Sequence, residues 1–155
     1  MKAKISITIG LIAILILLSS CSAQNTDSIL YGVSATEYKT ATCGCCGIFG
    51  QYLDKEGVDL TIETVSEAEL TTIKEEYGIT AELESCHTTL IEGYVVEGHV
   101  PAEAIEKLLT EQPDIVGIAL PGMPAASPGM GGSKNEEWII YAIAHDGEVT
   151  EFMRI

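Results

Sequence analysis

The chain is poor in basic residues. Its 155 residues include 8 lysines and arginines against 23 aspartates and glutamates, which gives a formal net charge of −15 at pH 7. A surface this acidic repels phosphate backbones and anionic lipid headgroups, and it attracts cations at long range without selecting among them. The composition therefore excludes nucleic-acid binding and does not by itself indicate a particular metal.

Long hydrophobic runs are missing after the first twenty residues. There, Lys2 and Lys4 precede an apolar run at 5–18, which is shorter than a transmembrane helix requires. A basic start, a short apolar run and a small-residue ending are typical of a signal peptide. The ending, Leu18-Ser-Ser-Cys21, resembles the lipobox of prokaryotic lipoproteins. That resemblance implies cleavage before Cys21 and a thioether-linked lipid on its sulfur, and the alternative is an uncleaved anchor with a free Cys21.

Both alternatives attach the protein to a membrane of the cell envelope, facing the periplasm or the cell exterior. We divide the chain into a signal peptide at 1–20, a polar tether at 21–28 and one domain at 29–155, which is long enough for a single core. Loss of residues 1–20 removes two lysines and no acidic residue, so the formal net charge falls from −15 to −17.

Cysteines spaced along the chain, as in a disulfide scaffold, are also lacking. Once Cys21 is assigned to the lipid, Cys43, Cys45 and Cys46 lie within four residues and Cys86 lies far from them. An even number of thiols in an oxidising compartment ordinarily predicts disulfides. The three neighbouring thiols are too close for comfortable pairing with one another, so we predict reactive or metal-binding thiols.

The hydrophobic pattern and the turn residues predict an α/β domain with the order β-α-β-α-β-β-α, followed by a loop rich in Pro, Gly and Met and by a β-hairpin. This order is the topology of a thioredoxin or glutaredoxin core, so we expect a thioredoxin-like single domain. The predicted strands are 29–39, 58–65, 89–91, 94–96, 138–144 and 148–153, and the predicted helices are 48–56, 67–77 and 101–109.

A thioredoxin-like fold places a C-x-x-C motif at the first strand-to-helix junction, where Cys43 and Cys46 fall. Amide groups of a first helical turn favour thiolates, so we predict acidic thiols there. One hypothesis is therefore a thiol-disulfide oxidoreductase with Cys43 as nucleophile and Cys46 as resolving thiol. However, the proline expected at the start of the third strand is replaced by Cys86-His87-Thr88, and a thiol at this position indicates a ligand.

The favoured hypothesis is a metal site built from the four cysteines 43, 45, 46 and 86. Thiolates are soft donors that suit Cu(I), which tolerates low coordination numbers. Zinc is less favoured because neighbouring Cys45 and Cys46 fit poorly into a tetrahedral Cys₃His or Cys₄ site. We predict sequestration of Cu(I) or its hand-over to a copper-transfer protein, and no catalytic residues.

The histidines offer fewer clues. His87 follows Cys86 at the start of a strand, where consecutive residues face opposite sides, so both bind one ion only if the strand is irregular there. We include His87 among the candidate metal ligands, and the alternative is a half-buried imidazole that is hydrogen-bonded to the loop. His99 lies just before a helix, where it either donates a hydrogen bond to a metal ligand or is only the residue at which the helix begins. His145 lies beside a turn and is expected to be solvated.

The tripeptide Pro-Gly-Met occurs twice in the loop, ending at Met123 and at Met130. Thioether sulfur is a soft, neutral ligand suited to Cu(I). The loop is either a flap that offers Met123 and Met130 to the metal or only a linker to the hairpin, and we include both methionines among the candidate ligands.

Four sequence blocks follow one another in order along the chain, namely Thr42-Cys-Gly-Cys-Cys-Gly47, Ser85-Cys-His-Thr88, Glu92-Gly-Tyr94 with Glu97-Gly-His-Val-Pro-Ala102, and 117–130. Together they resemble the small periplasmic proteins of a domain-of-unknown-function family that is often labelled CopG-like, copper-resistance or metal-binding. The resemblance runs from about residue 29 to the C-terminus and implies metal binding in the envelope, with copper as the metal. Ile48-Phe49 departs from the family pattern of a basic residue and tryptophan, which alters a helix face and none of the ligands.

Overall fold

Seven strands and three helices form a mixed α/β domain in the computed structural model, which describes residues 28–155. The predicted signal peptide, Cys21 and all of the tether except Ser28 lie outside the described residues. Within 28–155, the helices are too short or too polar to cross a membrane. The elements are β1 (Ser34–Thr40), α1 (Gly44–Lys55), β2 (Asp59–Val65), α2 (Glu67–Glu76), β3 (His87–Ile91), β4 (Tyr94–Glu97), α3 (Ala102–Glu111), β5 (Gly117–Ala119), β6 (Ile139–Ile143) and β7 (Val149–Arg154).

The strands lie in the order β2-β1-β3-β4-β5-β6-β7 within one sheet. The pairs β1–β2 and β4–β5 are parallel, and the other neighbours are antiparallel. The parallel β1–β2 pair is connected through α1, as a crossover between parallel strands requires. β1 and β3 are antiparallel neighbours, so the end of β1 lies beside the start of β3. The cysteine loop before α1 and the segment before β3 therefore lie at the same end of these two strands.

Most predicted elements are confirmed to within a few residues. The predicted capping box begins α2, where the Ser66 side chain accepts from the Glu69 backbone N–H and the Glu69 carboxylate accepts from the Ser66 backbone N–H. The Glu92-Gly93 turn joins β3 to β4, and Gly93 takes the left-handed conformation with a φ of 85°.

Helix α1 begins four residues earlier than predicted, inside the cysteine loop. Cys43 is extended (φ −78°, ψ 95°) and precedes the first helical residue, Gly44. Cys45 and Cys46 therefore lie in the first turn of the helix. The sequence showed no Ser, Thr, Asp or Asn at the position before the helix, which explains why the start was placed too late.

Strand β5 was predicted as loop. It is only three residues long and fully buried, so it shows neither alternation nor a polar face. At Gly117 a Cβ atom would lie 1.9 Å from the Val95 backbone oxygen, so only glycine permits this pairing with β4. Because β5 also pairs with β6, the terminal hairpin continues the main sheet.

Two apolar clusters pack against the sheet. The larger one joins α1, through Phe49 and Leu53, to α3, through Ile105 and Leu108. The smaller one joins the segment after α2 to β4, β5 and β6. Phe49 is fully buried and lies one turn after the cysteine loop, so the larger cluster anchors the start of α1.

Candidate metal centre

Two segments forty residues apart bring four sulfur atoms together. The Sγ atoms of Cys43, Cys45, Cys46 and Cys86 all lie within 4.8 Å of one another. The Cys45 sulfur is central, at 3.6 Å from the Cys43 sulfur and 3.6 Å from the Cys86 sulfur. The first three cysteines belong to the start of α1 and the fourth directly precedes β3, so antiparallel pairing of β1 with β3 explains their convergence.

Cys43 and Cys46 are joined by a disulfide, whereas Cys45 and Cys86 are free. The expectation that the clustered thiols are too close to pair is wrong for Cys43 and Cys46. Their Cα atoms are 5.5 Å apart across the first helical turn, within the ordinary range for disulfides. Binding of one ion through all four sulfurs therefore requires prior reduction of this bond.

The free thiol of Cys86 is half-buried. Burial, together with the neighbouring Cys45 thiol, raises its pKa to about 12. Without a metal, Cys86 is therefore protonated at neutral pH, so a bound metal ion must displace its proton. The predicted acidity concerned the thiols of the first helical turn, and Cys86 lies outside that turn.

His99 borders the sulfur cluster, although the sequence left it between two roles. Its Nε2 lies 3.1 Å from the Cys86 sulfur, and its Nδ1 lies 2.7 Å from the Pro128 carbonyl oxygen. A carbonyl only accepts, so Nδ1 carries the proton and Nε2 presents a lone pair toward Cys86. Gly98 permits this approach, because a Cβ atom there would lie 2.5 Å from the Ser85 Cβ.

His87 is fully buried, which contradicts the alternative of a half-buried imidazole. Its Nδ1 lies 3.7 Å from the Cys86 sulfur, because Cys86 precedes β3 and escapes the strict alternation of a strand. The His87 ring packs at 4.5 Å from the Phe49 ring and at 4.8 Å from the His99 ring. Burial holds the pKa of His87 well below its usual value, so the imidazole is neutral.

His145 is far more exposed than the other two histidines, as predicted. Its side chain is 64% exposed, and its Nε2 lies 3.2 Å from the Asp114 carboxylate. It belongs to none of the groups of potential metal ligands within residues 28–155.

The second Pro-Gly-Met repeat lies against the start of α1. Besides the contact of Pro128 with His99, a Cβ atom at Gly129 would lie 2.8 Å from the Phe49 nitrogen and 3.0 Å from the Cys45 oxygen. Met130 is partly buried and Met123 is 55% exposed. The loop thus packs against His99 and against the helix start that carries Cys45, and coordination by either methionine stays a prediction.

A buried ion pair fixes the segment that carries Cys86. The Lys74 ammonium contacts the Glu97 carboxylate and donates to the Ser85 carbonyl at 3.1 Å and to the Thr88 hydroxyl at 3.3 Å. Glu97 in turn accepts from the Ser85 N–H at 2.7 Å and from the Thr88 hydroxyl at 2.6 Å. Ser85 and Thr88, which flank Cys86 and His87, are therefore both hydrogen-bonded to the Lys74–Glu97 ion pair.

Sequence reasoning missed Lys74, Glu97 and a third buried charged residue, Glu37. A weak signal existed for two of them. Lys74 lies four residues after the buried Leu70 on α2, and Glu37 lies two residues after the buried Ala35 on β1. Both positions are inward-facing by the period of their element.

Solved structures of other proteins share this fold. Two chains described as "Copper resistance protein copG", Form 2 and Form 1, are 35% and 33% identical to this chain, each with a TM-score of 0.72. Each comparison covers 80% of this chain and 98% of the solved chain. A family model described as "Protein of unknown function, DUF411" matches residues 83–130. A comparison with curated protein sequences finds no match.

We expect Lys74→Met to lower the free energy of unfolding by about 3–5 kcal/mol, because it leaves the Glu97 carboxylate buried without its cation. Lys107→Met is the control, since it breaks the surface pair with Glu111 and the contact of the ammonium with the Phe152 ring, and is expected to cost less than about 2 kcal/mol. Denaturant unfolding measures both. The double variant Lys74→Met/Glu97→Gln should regain part of the loss, and equal costs for the two lysines would contradict the role given to Lys74.

Proposed function

The chain belongs to the family of the copper resistance protein copG, and from this premise we propose that it is a lipid-anchored, extracytoplasmic protein that binds Cu(I). The proposed ligands are Cys43, Cys45, Cys46 and Cys86, and the proposed role is to sequester copper or pass it to a transfer protein. The observation that carries the proposal is the convergence of four cysteine sulfurs from two distant segments within 4.8 Å.

The donor set fits a soft, monovalent ion. Thiolates are the ligands that Cu(I) prefers, and two or three of them satisfy its low coordination number. Cys45 and Cys86 are already adjacent, and the lone pair of His99 faces Cys86. Reduction of the Cys43–Cys46 disulfide by two electrons and two protons, supplied by a dithiol or phosphine in the test tube, frees the other two sulfurs.

A thioredoxin-like core is part of this proposal. The strand order β2-β1-β3-β4, with a parallel β1–β2 pair connected by α1, supports it. The Cys43–Cys46 disulfide at the first junction is the observation that favours the runner-up function, a thiol-disulfide oxidoreductase. Family membership and the presence of the Cys86 thiol next to Cys45 favour metal binding over that alternative.

We place the protein at a membrane through a lipid on Cys21, with residues 21–28 as the tether. The motif at 18–21, the preceding apolar run and the two early lysines support this placement. The acidic composition supports the further expectation that the domain does not bind nucleic acid.

We expect the reduced chain from Ser22 onward to bind Cu(I) far more tightly than Zn(II), because crowded thiolates suit the softer ion. Competition with chromophoric chelators of each metal under anaerobic conditions measures the two affinities. A protein that withdraws no Cu(I) from the chelator would refute the proposed function.

Cys86→Ser should weaken Cu(I) binding about as much as Cys43→Ser, since both sulfurs lie within 4.8 Å of the same cluster. The same chelator competition measures both variants, and His145→Gln, which alters an exposed histidine away from the cluster, is the control. If Cys86→Ser binds like the wild type, the site is confined to the first loop.

The double change Met123→Leu/Met130→Leu should cost little Cu(I) affinity at neutral pH and relatively more in acid. Thiolate ligands compete with protons and weaken as the pH falls, whereas thioethers do not. Cu(I) affinity at two pH values tests this, with Met153→Leu on β7 as the matched control. An unchanged pH dependence would mean that the loop is only a linker.

Cys21→Ala should leave an unprocessed precursor in the membrane fraction, because lipid attachment precedes cleavage at a lipobox. Intact-protein mass spectrometry of the wild type and the variant shows whether the lipid is attached and residues 1–20 removed. A normally cleaved, soluble Cys21→Ala product would indicate an ordinary secreted protein.

A further inference from the structure

Glu37 is a carboxylate buried without a partner. It is 0% exposed, and within residues 28–155 neither of its oxygens has a hydrogen-bond partner. Burial of an unpaired carboxylate is strongly unfavourable, and buried polar groups without partners are rare. Glu37 lies on β1, directly under α1, and the structure thus maintains an unfavourable group beside its metal centre.

His87 is the second unpartnered group at the same place. Its Nε2 is buried and, among the described residues, has no hydrogen-bond partner. The ring is held between Phe49 and His99, so its orientation is fixed by packing. A neutral, fixed imidazole with an unused nitrogen is the form in which histidine binds metals.

These two groups meet the buried cysteine of the disulfide. One ligand atom each from Glu37, Cys46 and His87 lie within 4.8 Å of one another, and all three residues are buried. They come from β1, α1 and β3, three elements that the sheet and the core hold together. Gly50 on α1 leaves the room for the carboxylate, because a Cβ atom there would lie 3.0 Å from Glu37 Oε2.

The three donors differ in kind from the sulfur cluster. Oxygen, nitrogen and sulfur together suit a borderline divalent ion of the zinc type, whereas Cu(I) gains little from a carboxylate. In a tetrahedral zinc site, two ligands lie roughly 3.3–3.5 Å apart, so modest side-chain rotations would close the observed cluster. A divalent cation, one carboxylate and one thiolate also sum to zero charge, which suits a buried position.

We propose that Glu37, His87 and the reduced thiolate of Cys46 form a second, inner metal position that takes a divalent ion of the zinc type. The position shares Cys46 with the sulfur cluster and in that respect rests on the proposed function. It exists only after a dithiol or phosphine has delivered two electrons and two protons to the Cys43–Cys46 bond. Binding of the ion then releases the proton of the Cys46 thiol.

The test uses the full chain in detergent, reduced with a phosphine that is removed before anaerobic titration. A Cys45→Ser background removes one sulfur of the outer cluster and none of the inner donors. In this background we expect Zn(II) to bind, and we expect added Glu37→Gln to weaken Zn(II) affinity at least about tenfold. Loss of a residue that only hydrogen-bonds to a metal ligand already costs about that much affinity, so loss of a ligand should cost no less. Added Glu63→Gln, which alters an exposed carboxylate on the neighbouring strand β2, should change nothing.

Equal Zn(II) affinity with and without Glu37→Gln would overturn the inner position. X-ray absorption of the wild-type chain with one equivalent of Zn(II) gives an independent measurement that needs no variant. A shell of mixed sulfur, nitrogen and oxygen is expected, and an all-sulfur shell would also overturn the inference. Failure of the proposed function is seen separately, as failure to compete for Cu(I).

Discussion

The geometry of the sulfur cluster depends on one buried ion pair. Lys74 on α2 and Glu97 at the end of β4 hold Ser85 and Thr88, which bracket the cysteine of the second segment. Neither charge is stable in the interior without the other, so the pair and the segment that it binds keep one arrangement. The position of the Cys86 sulfur is thus set by polar contacts outside the cysteine loop.

The aromatic and imidazole rings behind the sulfur cluster form a second constraint. Phe49 on α1 contacts His87 on β3, and both rings lie near His99, which is bonded to the loop that follows β5. Four segments of the chain therefore converge in one packed group. Such a group leaves little room for the backbone that carries the sulfur atoms to relax.

The sequence predicted the fold where local signals were strong. The Ser66 capping box and the Asp146-Gly147 turn identified their elements within one or two residues. The start of α1 was placed too late because Cys43 gives no capping signal, and β5 was missed because three buried residues show no period. Sheet order follows from long-range pairing, which local patterns describe only through the element order.

The candidate site was likewise predicted only in part. Its cysteines could be found because their spacing is unusual and because the predicted topology brings Cys86 to the first loop. The Cys43–Cys46 disulfide was not predicted, because the three neighbouring thiols were expected to be too close to pair and the helix was expected to begin only at residue 48. The role of Lys74 could not be predicted, because its partner Glu97 lies 23 residues away in the sequence. Glu37 can be interpreted as a candidate ligand only once the fold places it next to His87.

The close approach of Gly129 to the backbone of α1 also limits which substitutions the loop can accept during evolution. Any side chain at 129 would clash with the Phe49 nitrogen and the Cys45 oxygen. Both atoms belong to the backbone of α1, so neither can move unless the helix moves. Residues 131–137, by contrast, are all exposed. Substitutions and insertions among relatives should therefore accumulate at 131–137, whereas the number of residues in the loop segment around Gly129 should not change.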